Sequence, residues 1–127
     1  MCIRDRCLEC CDTRSFVAGE SLAAAQFKFV TLESDGQVDL ADSAGENCIG
    51  VLLNNPAAGE AATVAISGKV MVEAGGTIAA GAAVQADANG DALTAASGDV
   101  VMGYALEAAV DGQIMAIELI QGGNVVA

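Results

Sequence analysis

The chain has no histidine and no tryptophan, and its 127 residues include one proline, one tyrosine and three phenylalanines. Without histidine, a serine or cysteine nucleophile lacks the base that usually activates it. The acidic side chains are spread along the chain instead of being clustered as a catalytic pair. The sequence therefore predicts a protein that is not an enzyme and that carries no cofactor.

Basic residues are also scarce, with 5 Lys and Arg against 17 Asp and Glu, so the formal net charge is −12. After residue 14 the only basic side chains are Lys28 and Lys69. Such a surface repels nucleic acid and anionic membranes. No apolar run reaches the roughly 18 residues of a membrane span. The charge predicts that neither nucleic acid nor membrane is a partner, and it suits a partner with a basic face.

Four of the five cysteines fall in the opening "MCIRDRCLECC". Cys7 and Cys10 have zinc-ligand spacing, but a closed zinc site needs four ligands, and only Cys48 lies elsewhere. "MCIRD" back-translates to ATG TGT ATA AGA GAC, which resembles the transposon end used in a common sequencing-library method. We therefore expect residues 1–6 to be a sequencing-adapter artefact and 7–14 to be doubtful upstream residues, all disordered. One β-rich domain over 15–127 remains, with Cys48 as a small buried hydrophobe.

Two stretches of the chain are similar to each other. "AGESLAAA" at 18–25 aligns with "AGGTIAAG" at 74–81, and "ESDGQVDLADSAGENCIGVLL" at 33–53 aligns with 87–106. The repeats extend over about 18–68 and about 74–122. Such self-similarity indicates a duplicated structural unit.

Each repeat has the pattern of short strands joined by tight turns. The dipeptides Asp35-Gly36 and Asn89-Gly90 are typical of two-residue hairpin loops, in which both positions need positive φ. Fifteen glycines argue against long helices despite the high alanine content, and the 54% hydrophobic content argues against disorder. The sequence predicts an all-β fold of nine or ten strands. It would be a compact small barrel or sandwich of two pseudo-repeated hairpin units, with at most short helical turns.

Two motifs suggest specific chemistry, and each also has an ordinary structural explanation. Asp87, Asn89 and Asp91 have the D-x-N-x-D opening of a calcium loop, but the glycine and glutamate of the full motif are missing. A hairpin turn with polar flanks explains them equally. In "SGKVMVEAGG", Lys69 would lie on a tight turn, like the modified lysine of biotin or lipoate carrier domains. A solvated lysine at a strand edge is the plainer interpretation.

The order and spacing of several segments resemble one family. These segments are the "AGE" opening, the two turn dipeptides, "AAGEAATV", "SGKVMVEAGG" and "IAAGAAV", which together cover about residues 16–122. They resemble the phage capsid cement, or head decoration, proteins, a family formerly catalogued as a domain of unknown function. No catalytic residue carries over from that family.

The resemblance implies a structural virion protein that binds the outside of the expanded phage head. It would contact the major capsid protein, cement capsid subunits as a homotrimer, and be assembled in the host cytoplasm. An N-terminal arm would touch the capsid, and its candidate residues are Phe16, Val17, Ala18, Gly19 and Glu20. The alternatives are a non-catalytic adhesin or head-fibre-type module, which needs exposed aromatic side chains, and a carrier domain modified on Lys69.

Overall fold

The structure, a computed structural model, describes residues 11–23, 25–42, 48–96 and 100–119. It has nine strands and no helix in these ranges, so the predicted all-β class is confirmed. The expectation for residues 1–10 lies outside the described residues. The strands are β1 (Cys11–Ala18), β2 (Phe29–Leu32), β3 (Gln37–Leu40), β4 (Gly50–Leu52), β5 (Ala61–Glu73), β6 (Ala83–Ala86), β7 (Ala92–Thr94), β8 (Gly103–Ala105) and β9 (Ile114–Leu119).

The first half of the chain closes into a five-stranded barrel. Its strands follow the order β1-β3-β2-β4-β5, and β5 pairs back onto β1. All pairs are antiparallel except β1 with β3, where Val17 lies opposite Gln37 and Ala18 opposite Val38. Closure leaves few free sheet edges, which are the sites of unwanted strand pairing.

The second half has the same pairing pattern, in the order β5-β9-β8-β6-β7. Val84 pairs with Gly103 as Val30 pairs with Gly50. A parallel bridge between Ala74 and Ala92 stands where the parallel β1–β3 pair stands in the first half.

Strand β5 belongs to both halves, and its length differs from the prediction. The alternation in "ATVAIS" at 62–67 predicts one strand, and "GKVMVEA" at 68–74 predicts a separate bridging segment, but the structure has a single strand of 13 residues. Gly68, with φ +98°, lies where the pairing partners meet, opposite both Cys11 of β1 and Leu119 of β9. Strand β1 pairs with β5 before Gly68 and β9 pairs with it after Gly68, and this pairing keeps β5 continuous.

Strand β1 corrects the predicted domain boundary. Residues 11–14 were expected to be disordered, but they lie in β1, where Thr13 and Arg14 pair with Ala65 and Val64 of β5. If the domain began at residue 15, the backbone N–H and C=O groups of β5 opposite residues 11–14 would lose these hydrogen-bond partners.

The core is made of small aliphatic side chains in two clusters. One cluster lies within the first barrel and includes Leu22, Val30 and Val64. The other fills the second half and also takes in Phe29 and Val51 from the first. The two halves therefore pack as one body. Cys48 is buried in the second cluster, as predicted.

Two strand glycines allow close backbone contact. A Cβ on Gly50 would overlap the carbonyl oxygen of Ala65, and a Cβ on Gly103 would overlap that of Glu118. A glycine inside each of the strand-like stretches "CIGVLLN" and "VVMGYALEA" predicts a bulge or a close backbone approach, and the structure shows the close approach. Only glycine fits at either position.

Candidate functional site

Asp35–Gly36 and Asn89–Gly90 lie in the loops between the paired strands β2–β3 and β6–β7, and the loops differ from the two-residue type. Only the glycines, Gly36 (φ +83°) and Gly90 (φ +81°), have positive φ; Asp35 and Asn89 do not. The Glu33 amide donates to the Gln37 carbonyl at 2.8 Å, which leaves three residues in the loop rather than two. A tight turn followed by one left-handed residue is the usual three-residue hairpin, so glycine is needed only at the last position.

The second tip is packed against the first half. The Phe29 amide donates to the Gly90 carbonyl at 2.7 Å. A Cβ on Gly90 would lie 2.7 Å from Leu40 Cδ1 and 3.1 Å from the Phe29 carbonyl oxygen. The Asn89–Gly90 tip therefore joins the two halves.

An ion pair supports this junction. The Lys28 ammonium contacts the Asp91 carboxylate and lies 3.6 Å from Glu73 Oε1. Burial opposes the charge on Lys28, but the hydrogen bond and charge of Asp91 outweigh it and raise the pKa of Lys28. Burial raises the pKa of Asp91, with help from the charges of Asp87 and Glu73, although Lys28 works in the opposite direction. This partly buried network is therefore a structural element joining the halves.

The calcium candidate residues are already engaged by the protein. Asp87 Oδ1 accepts the backbone N–H groups of Asn89, at 2.8 Å, and of Asp91, at 2.9 Å. The Asp91 carboxylate pairs with Lys28. These contacts match the polar-turn explanation. Within the described ranges, no group of three or more His, Cys, Asp or Glu side chains could hold a metal ion.

Carboxylates collect at the β2–β3 hairpin of the first half, a feature that sequence reasoning missed. Asp39 Oδ1 is buried and has no hydrogen-bond partner among the described residues. Burial raises the pKa of Asp39, and the charges of Glu20, Glu33, Asp35 and Asp42 add to the effect. The acids are dispersed in sequence, so only the hairpin pairing brings them together.

The candidate arm residues do not form a free arm. Phe16, Val17 and Ala18 end strand β1, and the Gly19 amide donates to the Val38 carbonyl at 2.9 Å. Glu20 turns back, and its Oε2 accepts the Leu40 N–H at 2.9 Å. Val17 is exposed. Contact between this stretch and a capsid remains a prediction.

Lys69 lies in the middle of β5 and not on a turn. It is exposed and lies opposite Glu118 of β9. The tight turn that the carrier hypothesis assumed is therefore wrong, because strand pairing continues through this stretch on one side.

Around Lys69, three strands form a mostly apolar sheet surface, whose larger apolar side chains are exposed while the small Ala116 between them is buried. Glu118 lies between Lys69 and Tyr104, and Ala116 lies between Met71 and Leu106. The alternate residues of these strands point into the core. We call this surface the second-half face; its members are Lys69, Met71, Glu73, Tyr104, Leu106, Ile114, Ala116 and Glu118.

Sequence reasoning did not identify this face. Its alternation is partly hidden, because "MAI" at 115–117 is apolar on both sides of the sheet. The usable signal was the pair of patterns "KVMVE" and "GYALE", in which every second residue is large or charged.

The corresponding surface of the first half has a different composition. The register places Val51, Ala65 and Thr13 in one row, and Thr63 opposite Ser15 in the next. We call it the first-half face; its members are Thr13, Ser15, Val17, Val51, Leu53, Ala61, Thr63 and Ala65. Small and hydroxyl side chains stand where the second-half face has Met71, Ala116 and Ile114. Val51 and Ala65 are buried in the core cluster of the second half.

These features define a class: an all-β protein of two similar halves that share one long strand, with an exposed apolar sheet surface. A sequence profile of phage cement proteins matches residues 13–119. The chain belongs to the phage cement protein family, and it is a structural virion protein that binds the capsid.

The fold also has a counterpart among solved structures. The base of the head fibre protein gp8.5 of bacteriophage phi29 is similar with a TM-score of 0.65 and 20% sequence identity, covering 85% of this chain and 92% of that one. At this identity the likeness shows the fold alone. No curated protein matches the sequence. No helix in the described part of the chain is long and apolar enough to cross a membrane.

Proposed function

We propose that this protein binds the outer surface of the expanded phage head, contacts the major capsid protein there, and cements neighbouring capsid subunits without catalysis. The observation that carries the proposal is the family match over residues 13–119, which spans both halves. A cement protein gains little free energy at each site, but many copies act together on one shell.

The charge of the chain supports an outer position. At a net charge of −12, the protein would be repelled by packaged DNA. Outside the shell the same charge keeps the protein soluble and away from the nucleic acid of the host cytoplasm, where assembly would take place.

We further propose that the bound form is a homotrimer, as expected for a protein that sits where three capsid subunits meet. Light scattering at rising concentration tests whether trimers form before capsid binding. A monomer at every concentration would restrict trimerisation to the capsid surface.

The test of the main proposal is co-sedimentation of the full chain with expanded heads assembled from the major capsid protein encoded on the same DNA. Saturable binding at a fixed ratio, with a higher melting temperature of the heads, is the expected result. Heads that pellet without the protein, and melt as before, would reject the proposal.

The head-fibre and adhesin alternative needs exposed aromatic rings for stacking. Phe29 is buried, and Phe16 and Phe27 are half-buried, so Tyr104 is the only exposed aromatic side chain among the described residues. A single exposed ring offers little surface for stacking on a glycan, and the scarcity of exposed aromatic side chains favours the cement function over the adhesin alternative.

A further inference from the structure

The two halves have the same strand pairing, so comparing them shows which side chains of the second-half face the fold itself requires. Met71 stands where the first half has Ser15, Ile114 where it has Ala61, and Tyr104 where it has Val51. The first half forms the same strand pairs with Ser15 and Ala61 at the positions of Met71 and Ile114, although Val17 and Leu53 keep part of its surface apolar. Strand pairing alone therefore does not require large apolar side chains there.

These side chains are exposed and adjacent. Leu106 is 48% exposed, Tyr104 44% and Ile114 40%. Neighbouring strands lie about 4.8 Å apart, so the members of each row touch across the sheet. Contiguous exposed apolar side chains with a polar rim are the usual sign of a protein-binding surface.

Charge decides which partner fits this surface. The face carries Glu118 opposite Lys69, and Glu73 at its edge also lies 3.6 Å from the Lys28 ammonium. Glu107 lies beside the face, because its Oε2 accepts the Ala116 N–H at 3.0 Å. Two copies that met through this face would bring Glu107 and Glu118 of each copy close to those of the other. Like-charge contact disfavours such a pair, whereas a partner with an apolar centre and a basic rim fits.

We propose that the second-half face is the surface that docks on the capsid, and that it meets a patch with an apolar centre and basic surroundings. This inference rests on the proposed function and identifies the side of the molecule that performs it. The second copy is the occupant that the rim charges disfavour.

The experiment compares two leucines of nearly equal exposure. Leu106→Ser removes an apolar contact from the face, and Leu32→Ser, at 47% exposure in β2, removes one from the first half. Met71→Ser provides a second variant within the face. Binding of each full-length variant to expanded heads is titrated by co-sedimentation, and melting temperature and sedimentation velocity of the free protein are recorded beside it.

The expected result is a loss of head affinity of about tenfold or more for Leu106→Ser and Met71→Ser, as for residues central to an interface. Leu32→Ser should bind within about twofold of the unchanged protein, because it lies outside the proposed contact. Raising the salt concentration to about 0.5 M should weaken binding, since screening removes attraction between an acidic rim and a basic partner.

Three results would overturn the inference. Unchanged head binding by Leu106→Ser would exclude the face. Altered self-association with normal head binding would assign the face to a second copy, and salt would then strengthen the contact. If the unchanged protein does not bind heads, both the proposed function and this inference are wrong. If the unchanged protein and Leu106→Ser bind heads equally, only this inference is wrong.

Discussion

The Asp35–Gly36 and Asn89–Gly90 tips share one loop geometry and have opposite surroundings. Each ends in a left-handed glycine, with φ +83° and +81°. A Cβ on Gly36 would meet no described atom within 4 Å, whereas one on Gly90 would meet Leu40 and the Phe29 carbonyl. The Asp35–Gly36 loop is therefore open to solvent, whereas the Asn89–Gly90 loop joins the two halves. The same hairpin is therefore exposed in the first half and forms a contact between the halves in the second.

The largest expected effect tests what the halves have in common. Gly103→Ala should destabilise the fold by about 3 kcal/mol or more, because its methyl group would overlap the Glu118 backbone, which cannot move aside cheaply. Gly50→Ala should have a similar effect, because its methyl group would overlap the Ala65 carbonyl oxygen. Urea unfolding of both variants checks this. A loss of stability below about 1 kcal/mol in either variant would show that the neighbouring strand can move away from the added methyl group at little cost.

The next test separates the two tips. Gly90→Ala should cost about 2 kcal/mol, from the left-handed backbone together with the close approach to the Phe29 carbonyl oxygen, since the end of the Leu40 side chain can turn aside. Gly36→Ala has only the backbone cost, about 1 kcal/mol. The difference between their unfolding free energies measures how tightly the second tip is held. Equal losses would mean that the tip does not brace the first half.

The ion pair is peculiar to one junction. Lys28 has Ala82 as its counterpart, and Asp91 has Gln37, so no second copy of the pair exists at the corresponding positions. Lys28→Met should cost about 2 kcal/mol, because it leaves Asp91 partly buried without a cation. Adding Asp91→Asn should recover part of that loss. The double variant being less stable than Lys28→Met would contradict this account.

The smallest effect concerns the acidic hairpin of the first half. The pKa of Asp39 is raised above its ordinary 3.8, so the folded state holds its proton more tightly than the unfolded chain does. The charged form opposes folding at neutral pH, and this penalty disappears as the pH falls through the raised pKa. Asp39→Asn should therefore stabilise the protein by only about 0.5 kcal/mol at pH 7, because solvent screens much of the repulsion between the hairpin carboxylates.

The pH dependence provides the check on Asp39. The advantage of Asp39→Asn over the unchanged protein should shrink as the pH is lowered toward 4, as followed by thermal unfolding at several pH values. A stabilisation that stays constant with pH would assign the effect to something other than the carboxylate charge.

Local patterns made the fold class and most strand positions predictable. Alternating side chains and the turn dipeptides act over a few residues, so they indicated β2, β3, β6, β7 and β9 directly. The family could be identified because the order of these segments persists along the chain.

Features that depend on long-range pairing were not predictable. The continuity of β5 depends on β1 and β9 meeting it from opposite sides at Gly68. The Lys28–Asp91 contact joins residues 63 positions apart. The second-half face emerges only when three strands are placed side by side, and its importance only when the first half is laid beside it.

Electron cryomicroscopy of expanded heads decorated with the full chain tests the central claim most directly. We expect density for the first-half barrel and the adjoining second-half strands outside the shell, with strands β5, β8 and β9 of the second half against the capsid and the Asp35–Gly36 tip pointing to solvent. Density inside the shell, or a capsid contact made by the first-half face with Tyr104 and Leu106 left in solvent, would contradict it.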